Sequence, residues 1–375
     1  MTDWFDEYIP RHVRDLDVYQ PGKPIEELER ELGITGAIKV ASNENPLGPS
    51  PKALAALPAA LSQLHLYPDA GGFALRRAIA AKLSVEHSIS AGQVALGNGS
   101  NDLLYQLVLA TCEPTDEVLS HKYAFLSYRL SAQVAGRPFV AAPTTSQLAC
   151  VVDQLSAAIT PRTKLVVLGT PNNPTGAVVT KAGAEKILAA LPPRALLVID
   201  EAYQEYAAAW PEVDKVDGLE LLRCDRRVLV LRTFSKIFGL AGIRVGFALG
   251  DQAVIDVLGR VGRTFHVSSL AQVAAIAALD DDEHVQASAR HARACIERMR
   301  AEIQVPNGLV YPSVSNFVLI DCGRPSKPVY EALLRRGVIV RPMAAWGLAA
   351  AIRVSVGRED EMPRVIAALN DVLRG

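Results

Sequence analysis

The chain has 375 residues, of which 50% are hydrophobic and 21% charged, so it is long enough for two or three domains with a large apolar core. Its 39 Lys and Arg residues nearly balance 40 Asp and Glu residues, and the formal net charge of -1 gives no sign of binding to nucleic acid or an anionic membrane. The acidic first residues and the lack of a long apolar run predict a cytoplasmic protein with no membrane span.

The first forty residues predict an arm followed by a short helix. Residues 25–33 have helical apolar spacing and end in glycine, whereas the preceding residues 18–24 are rich in proline and glycine. Residues 39–48 then predict a short strand that enters a polar turn. Asn43 in this turn could face a ligand, or the turn could simply satisfy its own backbone, and the pattern leaves both interpretations open.

A strand, a glycine-containing turn and a helix follow over residues 93–110. This order would place the backbone N–H groups of Gly99, Ser100 and Asn101 at a helix N-terminus, where they could bind an anion. Such a turn does not identify a site by itself.

Strands and helices alternate through the middle of the chain. Apolar runs predict strands at 117–120, 164–169, 195–200, 228–232 and 245–249. Because these runs are apolar on both faces, they predict an α/β fold with a mainly parallel central sheet covered by helices. Ligands bind at the carboxyl ends of such strands, so the polar residues that end them are expected to meet in one crevice.

The pattern changes after about residue 268. Ala-rich helical stretches are followed by short strands and two further helices, with predicted bounds 270–279, 285–303, 309–311, 316–320, 327–336, 338–341, 351–355 and 359–373. We therefore predict an N-terminal arm and short helix over residues 1–40, a large cofactor-binding domain over 41–268 and a smaller α+β domain over 269–375.

Residues 232–246 place one lysine, Lys236, among hydroxyls, apolar rings and glycines. A lysine in this setting could form a Schiff base with a carbonyl cofactor. Thr233, Ser235 and Arg244 could hold a phosphate beside it, which is the combination that pyridoxal phosphate requires. Taken alone, the stretch also fits a strand followed by an ordinary surface lysine.

The cysteines and histidines do not predict a disulfide framework or a metal site. The five cysteines are scattered and odd in number, and no C-x-x-C spacing occurs. The seven histidines include no H-x-x-x-H pair. We therefore predict an enzyme without a bound metal.

Several motifs occur in an order that resembles the fold type I pyridoxal-phosphate-dependent aminotransferases over nearly the whole chain. They are residues 170–176, 200–203 and 233–236, with Arg244. Within that superfamily, residues 19–24, 41–48, 67–69, 97–101 and 337–342 resemble the histidinol-phosphate aminotransferases. The resemblance implies a homodimer that transfers an amino group between histidinol phosphate and 2-oxoglutarate, by a ping-pong mechanism, in histidine biosynthesis.

The resemblance also implies roles around the cofactor ring. Lys236 would carry the cofactor as a Schiff base, and would then move the substrate proton as acid and base once its pKa is lowered. Asp200 would pair with the pyridine N–H. Asn173 and Tyr203 would hydrogen-bond the phenolic oxygen, and Tyr123 would stack on the ring.

Further residues would hold the two anionic groups. The cofactor phosphate would be bound by Gly99, Ser100, Asn101, Thr233, Ser235 and Arg244. Tyr67 of the partner subunit would complete that site. Arg353 would grip the substrate α-carboxylate, because a planar guanidinium suits a bidentate contact. Tyr19, Asn43 and Arg341 would lie nearest the substrate, with Arg341 and Tyr19 placed to meet a substrate phosphate.

Residues 265–269, Phe-His-Val-Ser-Ser, differ from the Phe-Asn-Val-Asn-Ser-like segment usual in that family. His266 would lie at the rim of the site, so phenylalanine or tyrosine is an alternative substrate. A decarboxylase of a phosphorylated amino acid is a second alternative, and a non-catalytic ligand sensor is a third. The full catalytic set disfavours the sensor. The pattern leaves open whether Trp346 lies in the core or at the rim.

Overall fold

The computed structural model describes residues 4–16 and 22–375. Its helices are α1 (Trp4–Tyr8), α2 (Arg11–Arg14), α3 (Ile25–Leu32), α4 (Pro51–Leu61), α5 (Phe73–His87), α6 (Ser100–Thr111), α7 (Leu126–Val134), α8 (Val152–Ala157), α9 (Lys181–Ala190), α10 (Gln204–Ala207), α11 (Gly218–Cys224), α12 (Gln252–Val261), α13 (Ser269–Leu279), α14 (Asp282–Glu302), α15 (Ser326–Arg335) and α16 (Met362–Arg374). Its strands are β1 (Ile38–Lys39), β2 (Val94–Gly97), β3 (Glu117–His121), β4 (Phe139–Ala142), β5 (Thr163–Gly169), β6 (Leu196–Asp200), β7 (Val228–Thr233), β8 (Gly246–Leu249), β9 (Leu309–Val310), β10 (Phe317–Asp321), β11 (Val338–Ile339), β12 (Arg341–Pro342) and β13 (Ala351–Ser355).

Seven strands form the central sheet, in the order β2-β8-β7-β6-β5-β3-β4. β8 runs antiparallel to both β2 and β7, and the pairs among β7, β6, β5, β3 and β4 are parallel. The predicted α/β fold with a mainly parallel sheet is therefore confirmed. The edge strand β4 was not predicted, because it is only four residues long and lies between Pro138 and Pro143.

Successive residues of the central strands point to opposite faces of the sheet. On β6, Leu197 and Ile199 pack into one buried apolar cluster, and Val198 packs into another. The first cluster includes residues of α5 and α13, such as Leu75 and Ala275. The second includes residues of α6, α7 and α12. Helices thus cover both faces, and the strand ends remain as the place where polar groups can meet.

A second sheet of four antiparallel strands, in the order β12-β13-β10-β9, follows the long helix α14. The N-terminal strand β1 pairs in parallel with β11, with Ile38 opposite Val338. Residues just before the large sheet therefore pack on the C-terminal part of the chain. We propose domain boundaries at residues 40 and 268. The helix α13, which follows the second boundary, packs on the large sheet, and the second sheet follows α14.

Two properties of the described chain, residues 4–16 and 22–375, concern its surroundings. No helix in it combines the length and apolar character needed to cross a membrane. All five cysteines are free thiols, three of them buried. Burial raises the pKa of the Cys150 thiol to about 11, so this side chain stays protonated at neutral pH.

Candidate active site

A cleft of about 990 Å³, including the part open to solvent, lies at the carboxyl ends of β5, β6 and β7. Most of the predicted site residues line it: Asn43, Gly99, Ser100, Asn101, Asn173, Asp200, Tyr203, Thr233, Ser235, Lys236, Arg244, Arg341 and Arg353. The lining does not include Tyr67 or Tyr123. Tyr19 lies outside the described residues.

Lys236 lies three residues after the end of β7, in a turn between the buried rings of Phe234 and Phe238. Its Nζ donates to the backbone oxygen of Ser42 at 3.3 Å and lies 5.7 Å from the centre of the Tyr203 ring. Burial, together with the positive charges of Arg353 and Arg244, lowers the pKa of Lys236 to about 8. The amine is therefore more easily deprotonated than a surface lysine and can act as a nucleophile or base.

Asp200 is the last residue of β6, and its carboxylate is buried below the cleft. Tyr128 donates its hydroxyl proton to Oδ2 at 3.0 Å, and the backbone N–H of Ala202 donates to Oδ1 at 3.1 Å. Burial raises the pKa of Asp200 to about 6. A buried carboxylate with this raised pKa is suited to a cationic N–H partner. Tyr128, in the first turn of α7, was not predicted as a site residue.

A cradle for an anion lies beside the N-terminus of α6, where Gly99 precedes the first helical residue. Gly99 has φ +87°, and a Cβ there would lie 2.7 Å from Nη2 of Arg244. Nη1 of Arg244 donates to the Ser235 hydroxyl at 3.3 Å. A Cβ on Gly246 would approach the backbone nitrogen of Ser100 to 2.4 Å. Glycine at positions 99 and 246 therefore leaves space for a phosphate in this cradle. Backbone N–H groups, two hydroxyls and the Arg244 guanidinium can then bind it.

Arg353 and Arg341 face each other on neighbouring antiparallel strands, β13 and β12. Both are buried, with 5% and 8% of their surface exposed. Arg353 donates to Asn173 Oδ1 and to the backbone oxygen of Ala41, each at 2.6 Å. The Arg341 guanidinium lies 5.8 Å from the centre of the Trp346 ring, which also lines the cleft. Two guanidinium groups in one wall suit anionic substrates.

The aromatic side chains that line the cleft differ from the prediction at one position. Tyr123 has φ +61° and does not line the cleft, and Lys122 Nζ lies 4.9 Å from the centre of its ring. Phe125 lines the cleft instead and packs edge-on against the Tyr128 ring, with the two ring centres 5.7 Å apart. The left-handed backbone at residue 123 was not expected from the sequence, because a bulky side chain such as tyrosine rarely adopts it.

Tyr67 is 82% exposed and stacks on Phe265 of the same chain, with ring centres 4.6 Å apart. His266 has one ring nitrogen 2.6 Å from the backbone oxygen of Arg263 and the other 3.0 Å from that of Leu96. Its ring therefore braces the loop that carries Phe265. Neither Tyr67 nor His266 reaches this chain's own cleft.

The donor groups of this cleft fit pyridoxal phosphate. Lys236 provides an amine of lowered pKa, Asp200 provides a buried carboxylate for a pyridine N–H, and the Gly99 cradle provides donors for a phosphate. Together with the mainly parallel sheet, the cleft defines a pyridoxal-phosphate-dependent aminotransferase of fold type I.

The chain belongs to the aminotransferase class I and II family, whose model matches residues 35–369. A histidinol-phosphate aminotransferase from Anaeromyxobacter sp. (strain Fw109-5) is 45% identical over 97% of this chain and 99% of its own length. Histidinol-phosphate aminotransferase 2 from Pseudomonas aeruginosa is 43% identical over 96% of each chain. The crystal structure of histidinol-phosphate aminotransferase from Sinorhizobium meliloti in complex with pyridoxal-5'-phosphate has a TM-score of 0.84 and 29% identity, covering 98% of this chain and 97% of that one. The predicted family and cofactor are confirmed.

Proposed function

We propose that this chain transfers an amino group between histidinol phosphate and 2-oxoglutarate. The observation that carries the proposal is the pair Arg341 and Arg353, which face each other in one wall of the cleft that holds Lys236. The names of the relatives from Anaeromyxobacter and Pseudomonas aeruginosa support the same substrate.

The two arginines explain how one cleft could accept two different substrates in turn. Histidinol phosphate carries a phosphate and no carboxylate, whereas glutamate carries two carboxylates. Arg353 would grip the α-carboxylate of glutamate with its planar guanidinium, and Arg341 would meet the phosphate of histidinol phosphate. Asn43 lies in the same lining, and Tyr19 would join Arg341 at the phosphate.

The residues at the strand ends would hold the cofactor. Bound pyridoxal phosphate supplies an electron sink for the negative charge that develops at the substrate Cα. Asp200, oriented by Tyr128, would keep the pyridine nitrogen protonated. Asn173 and Tyr203 would bind the phenolic oxygen. Phe125 would face the ring in place of Tyr123.

The phosphate of the cofactor would be bound in the cradle around Gly99. The backbone N–H groups of Gly99, Ser100 and Asn101, the hydroxyls of Thr233 and Ser235 and the guanidinium of Arg244 would surround it. The helix N-terminus adds a favourable dipole for the phosphate charge.

Lys236 would remove the proton from the substrate Cα and deliver it to C4′ of the cofactor. A base must be neutral to accept a proton, and a pKa of about 8 leaves roughly one tenth of the amine neutral at pH 7. An ordinary lysine with a pKa of 10.5 would be far less available. Burial of the Lys236 amine thus increases the fraction that can accept the substrate proton.

We propose that two copies of the chain form a homodimer. The surface around Tyr67 exposes Leu64, Leu66, Phe73 and Phe265, all large apolar side chains. A cluster of this kind on one surface is typical of a protein interface. Tyr67 would then reach the cofactor phosphate of the partner subunit. The five free thiols support a reducing compartment such as the cytoplasm.

Rapid mixing with single substrates tests the proposed substrate. We expect histidinol phosphate and glutamate each to abolish the visible absorbance of the bound cofactor, and phenylalanine to act much more slowly at equal concentration. A larger kcat/KM for phenylalanine would assign an aromatic aminotransferase instead. Release of carbon dioxide without formation of an oxo acid would assign a decarboxylase. Protein that binds no pyridoxal phosphate would contradict both enzymatic classes.

A further inference from the structure

Ser355, at the end of β13, forms a buried hydrogen-bonded chain that leads to the cleft. Its hydroxyl oxygen accepts the backbone N–H of Asn43 at 2.9 Å, and its hydroxyl proton is donated to Asn43 Oδ1 at 2.7 Å. Asn43 Nδ2 then donates to the Tyr203 hydroxyl at 2.9 Å. All three side chains are buried. Ser355 itself does not line the cleft.

The serine hydroxyl decides which way the Asn43 amide points. Within residues 4–16 and 22–375, the hydrogen bonds of this hydroxyl are those with Asn43. If the amide were rotated, its NH₂ would face the hydroxyl, and the buried hydroxyl proton would lose its acceptor. Buried donors are rarely left in that state. Ser355 therefore holds Oδ1 toward itself and Nδ2 toward Tyr203.

The amide in turn decides what the Tyr203 hydroxyl can do. Because this hydroxyl accepts a proton from Asn43, its own proton must point elsewhere. In the described part of the chain that proton has no acceptor, and Tyr203 lines the cleft. The charged groups near it are Lys236, Asp200 and Arg353. The hydroxyl is thus set to donate to a ligand in the cleft.

The backbone around Asn43 supports this arrangement. Asn43 has φ +57°, a left-handed conformation that asparagine tolerates better than most residues. Asn316 Nδ2 donates to the backbone oxygen of Asn43 at 3.1 Å, and the Ser355 N–H donates to Val40 at 2.9 Å. The segment is therefore fixed to β13, the strand that also carries Arg353.

We propose that Ser355 is a positioning residue, which orients Asn43 so that Tyr203 donates its proton to the phenolic oxygen of the cofactor. This inference rests on the proposed function, which places that oxygen beside Tyr203. Donation from Tyr203 stabilises the deprotonated, negatively charged oxygen, and so lowers the pH at which the visible absorbance of the bound cofactor changes.

The test is a pH titration of the visible absorbance of cofactor-bound protein without substrate. Tyr203→Phe removes the donor and should raise the midpoint. Ser355→Ala lets the amide rotate and accept the tyrosine proton, so it should raise the midpoint by about 0.5 pH unit or more, the scale expected when a charged group loses part of a hydrogen bond. Ser355→Thr keeps a hydroxyl and should restore the original midpoint.

Two further variants keep the result decisive. Ser120→Ala removes another buried strand hydroxyl, which donates to the backbone oxygen of Val167 at 2.6 Å. Because Ser120 is not part of the contacts among Ser355, Asn43 and Tyr203, this variant should leave the midpoint unchanged. Ser355→Cys preserves the packing and offers only a weak S–H donor, so it gives the same test if Ser355→Ala does not fold.

The outcomes separate this inference from the proposed function. If Tyr203→Phe raises the midpoint and Ser355→Ala does not, the role of Ser355 is overturned and that of Tyr203 stands. If Tyr203→Phe has no effect, both roles are overturned. The double variant should shift no further than Tyr203→Phe alone, because both changes remove the same donation. Simple addition of the two shifts would contradict a shared chain.

Discussion

The arginines at the two ends of the cleft differ in their exposure to solvent. At the cofactor-phosphate end, Arg244 is exposed, and the cradle is made largely of backbone N–H groups and hydroxyls. At the substrate end, Arg341 and Arg353 are buried in a strand wall. One chain therefore buries the arginines at the substrate end, whereas it leaves the arginine at the cofactor-phosphate end exposed. An exposed end is where a partner subunit can add Tyr67.

Lys236 lies between the two ends and should give the largest effect. Lys236→Ala removes both the attachment point and the acid-base group, so we expect kcat to fall by about 10⁴-fold or more. Single-turnover rates with histidinol phosphate would measure the loss. Thr180→Ser, which keeps a helix-capping hydroxyl remote from the cleft, should retain full activity. A loss below about tenfold would exclude Lys236 as the base.

The buried substrate end should give the next largest effect. Arg353→Lys loses the planar bidentate grip, and we expect kcat/KM for glutamate to fall roughly 100-fold or more. Arg341→Gln should reduce kcat/KM for histidinol phosphate more than for glutamate, because only the former carries a phosphate. Steady-state kinetics with both substrates would measure the pair. Equal losses for both substrates in Arg341→Gln would remove the proposed division between the two arginines.

The lowered pKa of Lys236 predicts a pH dependence for cofactor uptake. Only the neutral amine attacks the cofactor aldehyde, so in cofactor-free protein the attachment rate should rise with pH and level off above about 8. Between pH 6 and pH 8 the neutral fraction of a group with this pKa grows roughly 50-fold. The growth of visible absorbance after mixing would report the rate. A rise that continues to pH 10 would indicate an unperturbed lysine.

A Tyr128 variant tests the buried contact with Asp200, which lies between the two ends of the cleft. Tyr128→Phe removes a hydrogen bond to the Asp200 carboxylate, which should raise the pKa of Asp200 further and weaken its pairing with the pyridine nitrogen. We expect the dissociation constant of the cofactor to rise about tenfold. Equilibrium dialysis followed by absorbance would measure it. An unchanged constant would mean that Tyr128 only fills space.

Substitution of Tyr67, at the exposed cofactor-phosphate end, should give the smallest effect. Tyr67→Phe should weaken cofactor binding only about three- to tenfold, because it removes one hydrogen bond to an anion. Mixing Tyr67→Ala and Lys236→Ala chains should restore activity, because a hybrid dimer holds one site with both native residues. Hybrids no more active than the Tyr67→Ala homodimer would show that Tyr67 does not act across an interface.

Several residues predicted from the sequence to meet at the carboxyl edge of the sheet do line the cleft. Lys236, Asp200 and Thr233 lie at or just after apolar strands, and parallel strands bring their carboxyl ends to one edge of a sheet. Local periodicity therefore predicted both the sheet and the crevice. The antiparallel direction of β8 was not predicted, because an apolar run carries no information about strand direction.

The remote groups that contact these residues could not be predicted from local sequence patterns. Phe125 lines the cleft and Tyr123 does not. Tyr128 reaches Asp200 across 72 residues, and Ser355 reaches Asn43 across 312. Such contacts depend on how separate elements pack against one another. Side-chain type and local spacing determine the chemistry available to this chain, and the packing of distant strands determines which partner each group meets.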